Sequence, residues 1–538
     1  MLNTKKNNGA IQFGKFTRYG KNSPKSAYCW FLDFRDPAAF FRFNTLPDIL
    51  FSFLLFFLVN LTILSMSNMV SASEKENIDA ISNNECEKAI TTQEGGVSGY
   101  LEYKDEIGVC VYKGIPYAKP PLGDLRWQAP QPAESRDTLL QALTYGDDCM
   151  QSRRFRDSQI KSGTDKISEN CLYLNIWRPA KPGKYPVMVW LHGGALLIGS
   201  GAWPIYEGTS FASRQDVIIV TINYRLGAFG YLSHPDLVNN NDSMKGGSAG
   251  NYGLLDQLEA LQWVKENISS FSGDPNNITL FGESAGGWSV FTLLTVPKSR
   301  GLFHKAISQS GGSDATINSK NAYEIGTQFA ENVKCSQGDN ATCLRKIPAE
   351  KILETASNMS LKSYITGKFD THFSFLPRED GTLIPKEPFR SIQSDAYLKI
   401  PVIVGYNSKD PKFLKNSTIS SIENMSGHPS YLYKFLYKKN PFDILISGSH
   451  GVEIPFVFDT LNEFIIFYEK LTVYSESDTI EAQPVVDQIQ SYWGNYAKTG
   501  NPNGFDLNGY PLPQWPLFSE KSGGNYLYLN NKIRSEQF

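Results

Sequence analysis

No sign of charge dominates this sequence: 52 Lys and Arg face 54 Asp and Glu over 538 residues, for a formal charge of -2. Without a basic excess there is no electrostatic draw toward nucleic acid or an anionic membrane surface, so nucleic acid is not an expected partner. No CxxC pair and no HExxH occurs, which removes a thiol redox centre and a zinc protease from consideration. There is no internal repeat, and NNND at 239–242 is the one low-complexity block. Histidine is scarce, at six residues, so imidazole chemistry has few candidates. Apolar side chains are plentiful, at 41% of the chain with 13% aromatic, enough to bury a large core and to exclude a disordered or collagen-like chain.

The charge is unevenly spread. Residues 1–45 carry eight basic side chains against Asp33 and Asp36 and read as a basic N-terminal extension. Within 46–72, the apolar run ILFSFLLFFLVNLTIL (49–64) precedes the small-residue stretch Val70-Ser71-Ala72. Basic region, apolar region and small-residue site in that order describe a secretory signal peptide cleaved after Ala72; the alternative is an uncleaved N-terminal anchor. Residues 73–538 then form the functional domain, mildly acidic with 44 basic against 51 acidic side chains. Six cysteines remain there, an even number that fits an oxidising, secreted, periplasmic or extracellular destination. Proximity in sequence suggests the pairs Cys335–Cys343 and Cys149–Cys171, with free buried thiols as the alternative.

Short apolar runs alternate with longer amphipathic segments through the middle of the chain, the pattern of parallel strands covered by helices. Strands are expected at 186–191, 217–222, 278–281, 306–308, 401–404 and 431–436. LLDQLEALQWVKENI repeats its apolar residues Leu254, Leu258, Leu261 and Val264 on a helical period. The fold class is therefore α/β, one large domain around a central, mostly parallel sheet flanked by helices.

G-x-S-x-G occurs twice, around Ser248 and around Ser284. The chemistry needs a strand, a sharp turn and a helix, which lift the serine oxygen above the sheet edge beside a backbone N–H. Ser284 follows ITLF and precedes GGWSVFTLLT, whereas Ser248 follows the polar NNNDSMK, so Ser284 is the expected nucleophile. His-Gly-Gly at 192–194 follows the strand PVMVWL, where oxyanion donors belong; the expected hole combines the backbone N–H groups of Gly194, Ala195 and Ala285. An acid and then a histidine should follow the serine. His304, His372 and His428 lie before or at strand starts, whereas His450 stands in the loop SGSHG beyond the strand 431–436. Asp410 is the lone carboxylate in the loop after PVIVG. The expected triad is Ser284, Asp410 and His450, with neutral His450 as base and a rate that falls as pH drops through about 6.5, shifted by its neighbours.

These residues, together with KGIPYAKPPLGDLRW (113–127), SENCLYLNIW (168–177), TINYRLGAFGYL (221–232), FSGDPNNITLFGESAGG, ISQSGG (307–312), SHGVEIPFVF and YWGNYAKTGNPN (492–503), resemble the type-B carboxylesterase family. The resemblance spans most of residues 95–516. It implies an α/β-hydrolase fold, hydrolysis of small-molecule carboxylic esters through an acyl-enzyme on Ser284, and no metal or organic cofactor. It also supports the disulfides Cys149–Cys171 and Cys335–Cys343 and implies a third, Cys86–Cys110.

Three positions depart from the family pattern: Asp410-Pro411 stands where Glu-Gly is usual, Asn170 replaces the usual Asp of SENC, and only 40 positions separate Asp410 from His450, fewer than in the family. That shortening opens a competing reading, a catalytically impaired esterase-like protein or a cell-surface binding module. The loop between Cys149 and Cys171 holds no tryptophan and carries Arg153, Arg154 and Arg156, so neutral short- to medium-chain esters are expected over choline esters.

Overall fold

The computed structural model describes residues 85–153, 162–238, 249–366, 374–439, 446–463, 474–519 and 524–537, within a unit spanning Glu76–Phe538. The basic extension, the apolar run of 49–64 and Ser248 lie outside the described residues, as do Arg154 and Arg156.

An 11-stranded sheet organises the chain. Its strands, numbered in chain order, are β1 (Tyr100–Lys104), β2 (Ile107–Pro116), β3 (Tyr173–Pro179), β4 (Tyr185–Leu191), β5 (Ile218–Ile222), β6 (Gly273–Glu283), β7 (Lys305–Gln309), β8 (Val402–Asn407), β9 (Ser430–Leu436), β10 (Asn525–Asn530) and β11 (Arg534–Gln537). They lie side by side in the order β11-β10-β9-β8-β7-β6-β4-β5-β3-β2-β1. From β5 across to β10 all pairings are parallel. Antiparallel strands finish both edges, β3, β2 and β1 on one side and β11 on the other. All six expected strands are present, and the α/β-hydrolase architecture expected from the resemblance is the one observed.

Both faces of the central strands are buried, which is why they read as unbroken apolar runs. In β4, Val187, Val189 and Leu191 enter one core, while Met188 and Trp190 enter the other. Helix α1 (Thr209–Gln215) covers the second face, α2 (Tyr252–Asn267) and α3 (Ala285–Thr295) cover the first, and α4 (Lys412–Glu423) packs on β8. The short α5 (Ile454–Phe458) and the long α6 (Glu476–Thr499) complete the second layer. Leu254, Leu258, Leu261 and Val264 of α2 are all buried, as their period requires. The segment after Asp410 is short but retains α4 as its crossover, and β8 and β9 pair in parallel without interruption.

The six cysteines among the described residues are all paired, Cys86 with Cys110, Cys149 with Cys171 and Cys335 with Cys343. No helix among the described residues is long and apolar enough to cross a membrane.

Candidate active site

Ligands of open parallel sheets bind beyond the carboxyl ends of the strands. At that end, β6 runs out at Glu283 and α3 begins at Ala285, leaving Ser284 as a one-residue hinge with φ 55° and ψ -119°. A non-glycine residue held at positive φ costs about 1–3 kcal/mol and persists only where its surroundings over-determine it. Here they do. The Ser284 N–H donates to Gln309 O at 2.8 Å, and its carbonyl accepts from Trp288 N at 3.0 Å. The helix can start so close to the sheet because residue 286 is glycine: a Cβ there would lie 2.0 Å from the Leu191 carbonyl oxygen.

The loop after β4 folds over this hinge. A Cβ on Gly193 would sit 3.2 Å from Ser284 Cβ, and Gly194 and Ala195 hold positive φ values of 104° and 57°. Neither the Gly194 nor the Ala195 N–H donates to another described residue. Ala285 is the first residue of α3, where the amide has no partner within the helix. The loop that carries Gly194 and Ala195 thus passes beside Ser284, and Ala285 follows the serine directly.

His450 and Asp410 meet across the loops that follow β9 and β8. His450 Nδ1 lies 2.7 Å from Asp410 Oδ1. The other carboxylate oxygen, Oδ2, accepts from Asn407 N and from Ser310 Oγ, each at 2.7 Å. Asp410 is thus clamped through both oxygens, and the missing methylene relative to glutamate does not prevent direct contact with the imidazole. The His450 ring is about one-third exposed at 32%. Ser284 Oγ itself makes no hydrogen bond among the described residues, a common state for a site without substrate.

Two carboxylates went unrecognised in the sequence. Glu283, immediately before the serine, is buried with Oε1 3.3 Å from His450 Nε2, and that oxygen has no aligned hydrogen bond among the described residues. Burial pushes its pKa up to about 8, with Glu453 and Asp410 adding to the rise against the pull of His450. Glu453, three residues after His450, accepts from Gln309 Nε2 at 3.1 Å and from Asn407 Nδ2, and burial raises its pKa as well. Burial alone would lower the pKa of His450, but Glu283, then Asp410 and Glu453, outweigh it and push the imidazole up to about 9. The sequence offers a clue for Glu283 alone, as an acidic residue closing an apolar strand.

The remaining described histidines are occupied elsewhere. His304 Nδ1 accepts from Ile278 N at 3.1 Å, His234 Nδ1 accepts from Asp236 N at 3.1 Å, and His428 Nε2 lies 3.1 Å from the Tyr397 hydroxyl. His192 is buried in the loop after β4, and His372 lies outside the described residues. Asn170 is engaged locally, its Oδ1 accepting from the Tyr173 hydroxyl at 3.1 Å. No cluster of three or more potential metal ligands exists among the described residues.

The chain matches the carboxylesterase family over residues 86–425 and 412–538. It is 34% identical to the para-nitrobenzyl esterase of Bacillus subtilis over 83% of this chain and 96% of that protein. With liver carboxylesterase 1 of Oryctolagus cuniculus it shares 30% identity over 80% of this chain and 87% of the relative. A solved thermophilic para-nitrobenzyl esterase superposes with a TM-score of 0.72 at 31% identity, covering 84% and 97% of the two chains. A match that spans both ends of the sheet and the loops above it leaves one conclusion: this chain belongs to the carboxylesterase family, and it is a carboxylic-ester hydrolase.

Proposed function

We propose that hydrolysis runs through Ser284 as nucleophile, His450 as general base and acid, and Asp410 as the group that orients the imidazole. The observation that carries this reading is the convergence of the positive-φ serine with a carboxylate-bound imidazole at one end of the sheet. His450 Nε2 accepts the Ser284 proton as Oγ attacks the ester carbonyl carbon. The developing oxyanion is held by the N–H groups of Gly194, Ala195 and Ala285, main-chain donors that alanine supplies as well as glycine. Collapse expels the alcohol, which leaves with the proton from His450, and an acyl group stays on Ser284. Water, deprotonated by His450, attacks that acyl group; collapse then breaks the bond to Ser284 Oγ, which takes the proton back from His450, and the carboxylic acid leaves. Asp410 holds the Nδ1–H tautomer and stabilises the imidazolium without accepting its proton.

Neutral short- to medium-chain esters are the proposed substrates, supported by the absence between Cys149 and Cys171 of tryptophan, the ring that binds a quaternary ammonium best. Three disulfides support an oxidising destination, secreted or periplasmic, with residues 46–72 as signal peptide or anchor and 73–538 as the catalytic domain. The test is turnover of para-nitrophenyl acetate and butyrate beside a Ser284→Ala variant. Activity that disappears in the variant supports the reading. A folded wild-type protein without activity would favour the impaired or binding-only alternative.

A further inference from the structure

An amide N–H points away from the carbonyl of its own peptide, because the planar trans unit fixes the two in opposite directions. Whatever holds a carbonyl therefore aims the N–H that follows it. For Ala195 the Gly194 carbonyl accepts from Leu197 N and Ile198 N at 3.0 and 3.1 Å; for Ala285 the Ser284 carbonyl accepts from Trp288 N. For Gly194 the corresponding carbonyl is that of Gly193, which lies 2.9 Å from His192 Nδ1. A carbonyl has no proton to give, so Nδ1 carries it, and the second nitrogen, Nε2, is buried without a partner.

One residue holds His192 by both its ring and its main chain. The Tyr224 ring stacks on it at 4.3 Å between centroids and 12° between planes, and the Tyr224 hydroxyl donates to the His192 carbonyl at 2.6 Å. Both side chains are fully buried. The third wall is Gly199, where a Cβ would fall 2.2 Å from His192 Nδ1 and 2.6 Å from the Gly193 oxygen, leaving the ring no room to turn. The loop so held carries consecutive positive φ values at Gly194, Ala195 and Leu196, a conformation that must be maintained from outside.

We propose that His192 and Tyr224 are positioning residues for the ester hydrolysis: the Nδ1–H bond to the Gly193 carbonyl aims the Gly194 N–H at the oxyanion, and Tyr224 locks the imidazole that makes it. The inference rests on the reading of Ser284 and the Gly194, Ala195 and Ala285 donors given above. Burial pushes the His192 pKa down to about 4, so the ring stays a neutral, single-proton donor through the working pH range.

The test uses His192→Leu, which removes the donor, His192→Asn, whose amide can donate from nearly the same place, and Tyr224→Phe, which keeps the stack and loses the hydroxyl. Loss of an oxyanion donor acts on the transition state rather than on the bound ester. With para-nitrophenyl butyrate, His192→Leu is expected to lose about tenfold or more in kcat while KM stays within about twofold. Its affinity for a trifluoromethyl ketone, which forms a tetrahedral adduct on the serine, should fall in parallel, and His192→Asn should recover most of both. Tyr224→Phe should show a smaller loss with the same split, and it carries the test if His192→Leu does not fold. The proposal is overturned if Ser284→Ala is inactive while His192→Leu or Tyr224→Phe keeps wild-type kcat and ketone affinity. It is also overturned if His192→Asn is no better than His192→Leu, or if the losses fall on KM and thermal stability together. A fully active Ser284→Ala would instead remove the reading of the site, and this inference with it.

Discussion

At the scale of single residues, the pH dependence of the proposed mechanism follows from the charges around His450. A base can take a proton from Ser284 only after losing its own, so the rate falls as pH falls through the imidazole pKa. Glu283, Asp410 and Glu453 together push that pKa up to about 9 against burial, so the acid limb of kcat/KM should have its midpoint above the value of about 6.5 for free imidazole. Glu283 is the strongest of the raising charges, and Glu283→Gln should therefore move the midpoint down. A wild-type midpoint at or below about 6.5, or an upward move in the variant, would contradict the assignment. The proposed roles of Ser284, Asp410 and His450 rest on chain order and strand context, which say nothing of the direction of this shift. It depends above all on Glu283, at the end of β6, meeting an imidazole from the distant loop after β9, a tertiary fact that no local pattern encodes. Ser310, which also holds the far oxygen of Asp410, was hidden for the same reason.

At the scale of elements, the junction of β6 with α3 is the tightest point of the site. Gly286 lets the first turn of α3 lie against the Leu191 carbonyl of β4, and the neighbour a Cβ would meet at 2.0 Å is backbone, which cannot rotate away. Gly286→Ala should therefore cost about 1–3 kcal/mol or more and displace Ser284, giving a lower melting temperature together with a kcat loss. A variant with unchanged melting temperature and turnover would show that helix and sheet are not held this closely. The same elements explain what was legible. The six central strands and α2 announce themselves because both faces or one whole stripe are buried, leaving long apolar runs or a helical period. Strands β1 and β11 are largely half-buried or exposed and recruit polar residues such as Glu102 and Arg534, so their pairing is decided by the neighbouring strand rather than by their own composition. The shortened segment before His450 posed a real question in the sequence. Around it, α4 packs on β8 as the crossover, and His450 Nδ1 lies 2.7 Å from Asp410 Oδ1.

At the scale of the whole molecule, three disulfides fasten the surroundings of the sheet. Their separations are 24, 22 and 8 residues, and loop-closure entropy makes the longer loops worth roughly 3 kcal/mol each and the short one roughly 2.5. Cys149 and Cys171 are also both deeply buried, whereas Cys343 only borders the core. Replacing Cys149 and Cys171 by serine should therefore lower the calorimetric melting temperature more than replacing Cys335 and Cys343. The reverse order would mean that loop length and burial do not govern these bonds.

The central claim, that esters are cleaved by way of an acyl group on Ser284, is tested most directly by covalent labelling. The protein is treated with diisopropyl fluorophosphate, residual para-nitrophenyl butyrate turnover is followed, and the modified peptide is mapped by mass spectrometry. One diisopropylphosphoryl group per chain is expected, on Ser284 within FGESAGG, with activity lost in proportion to labelling. Modification at Ser248, or full turnover in protein labelled to completion at Ser284, would contradict it.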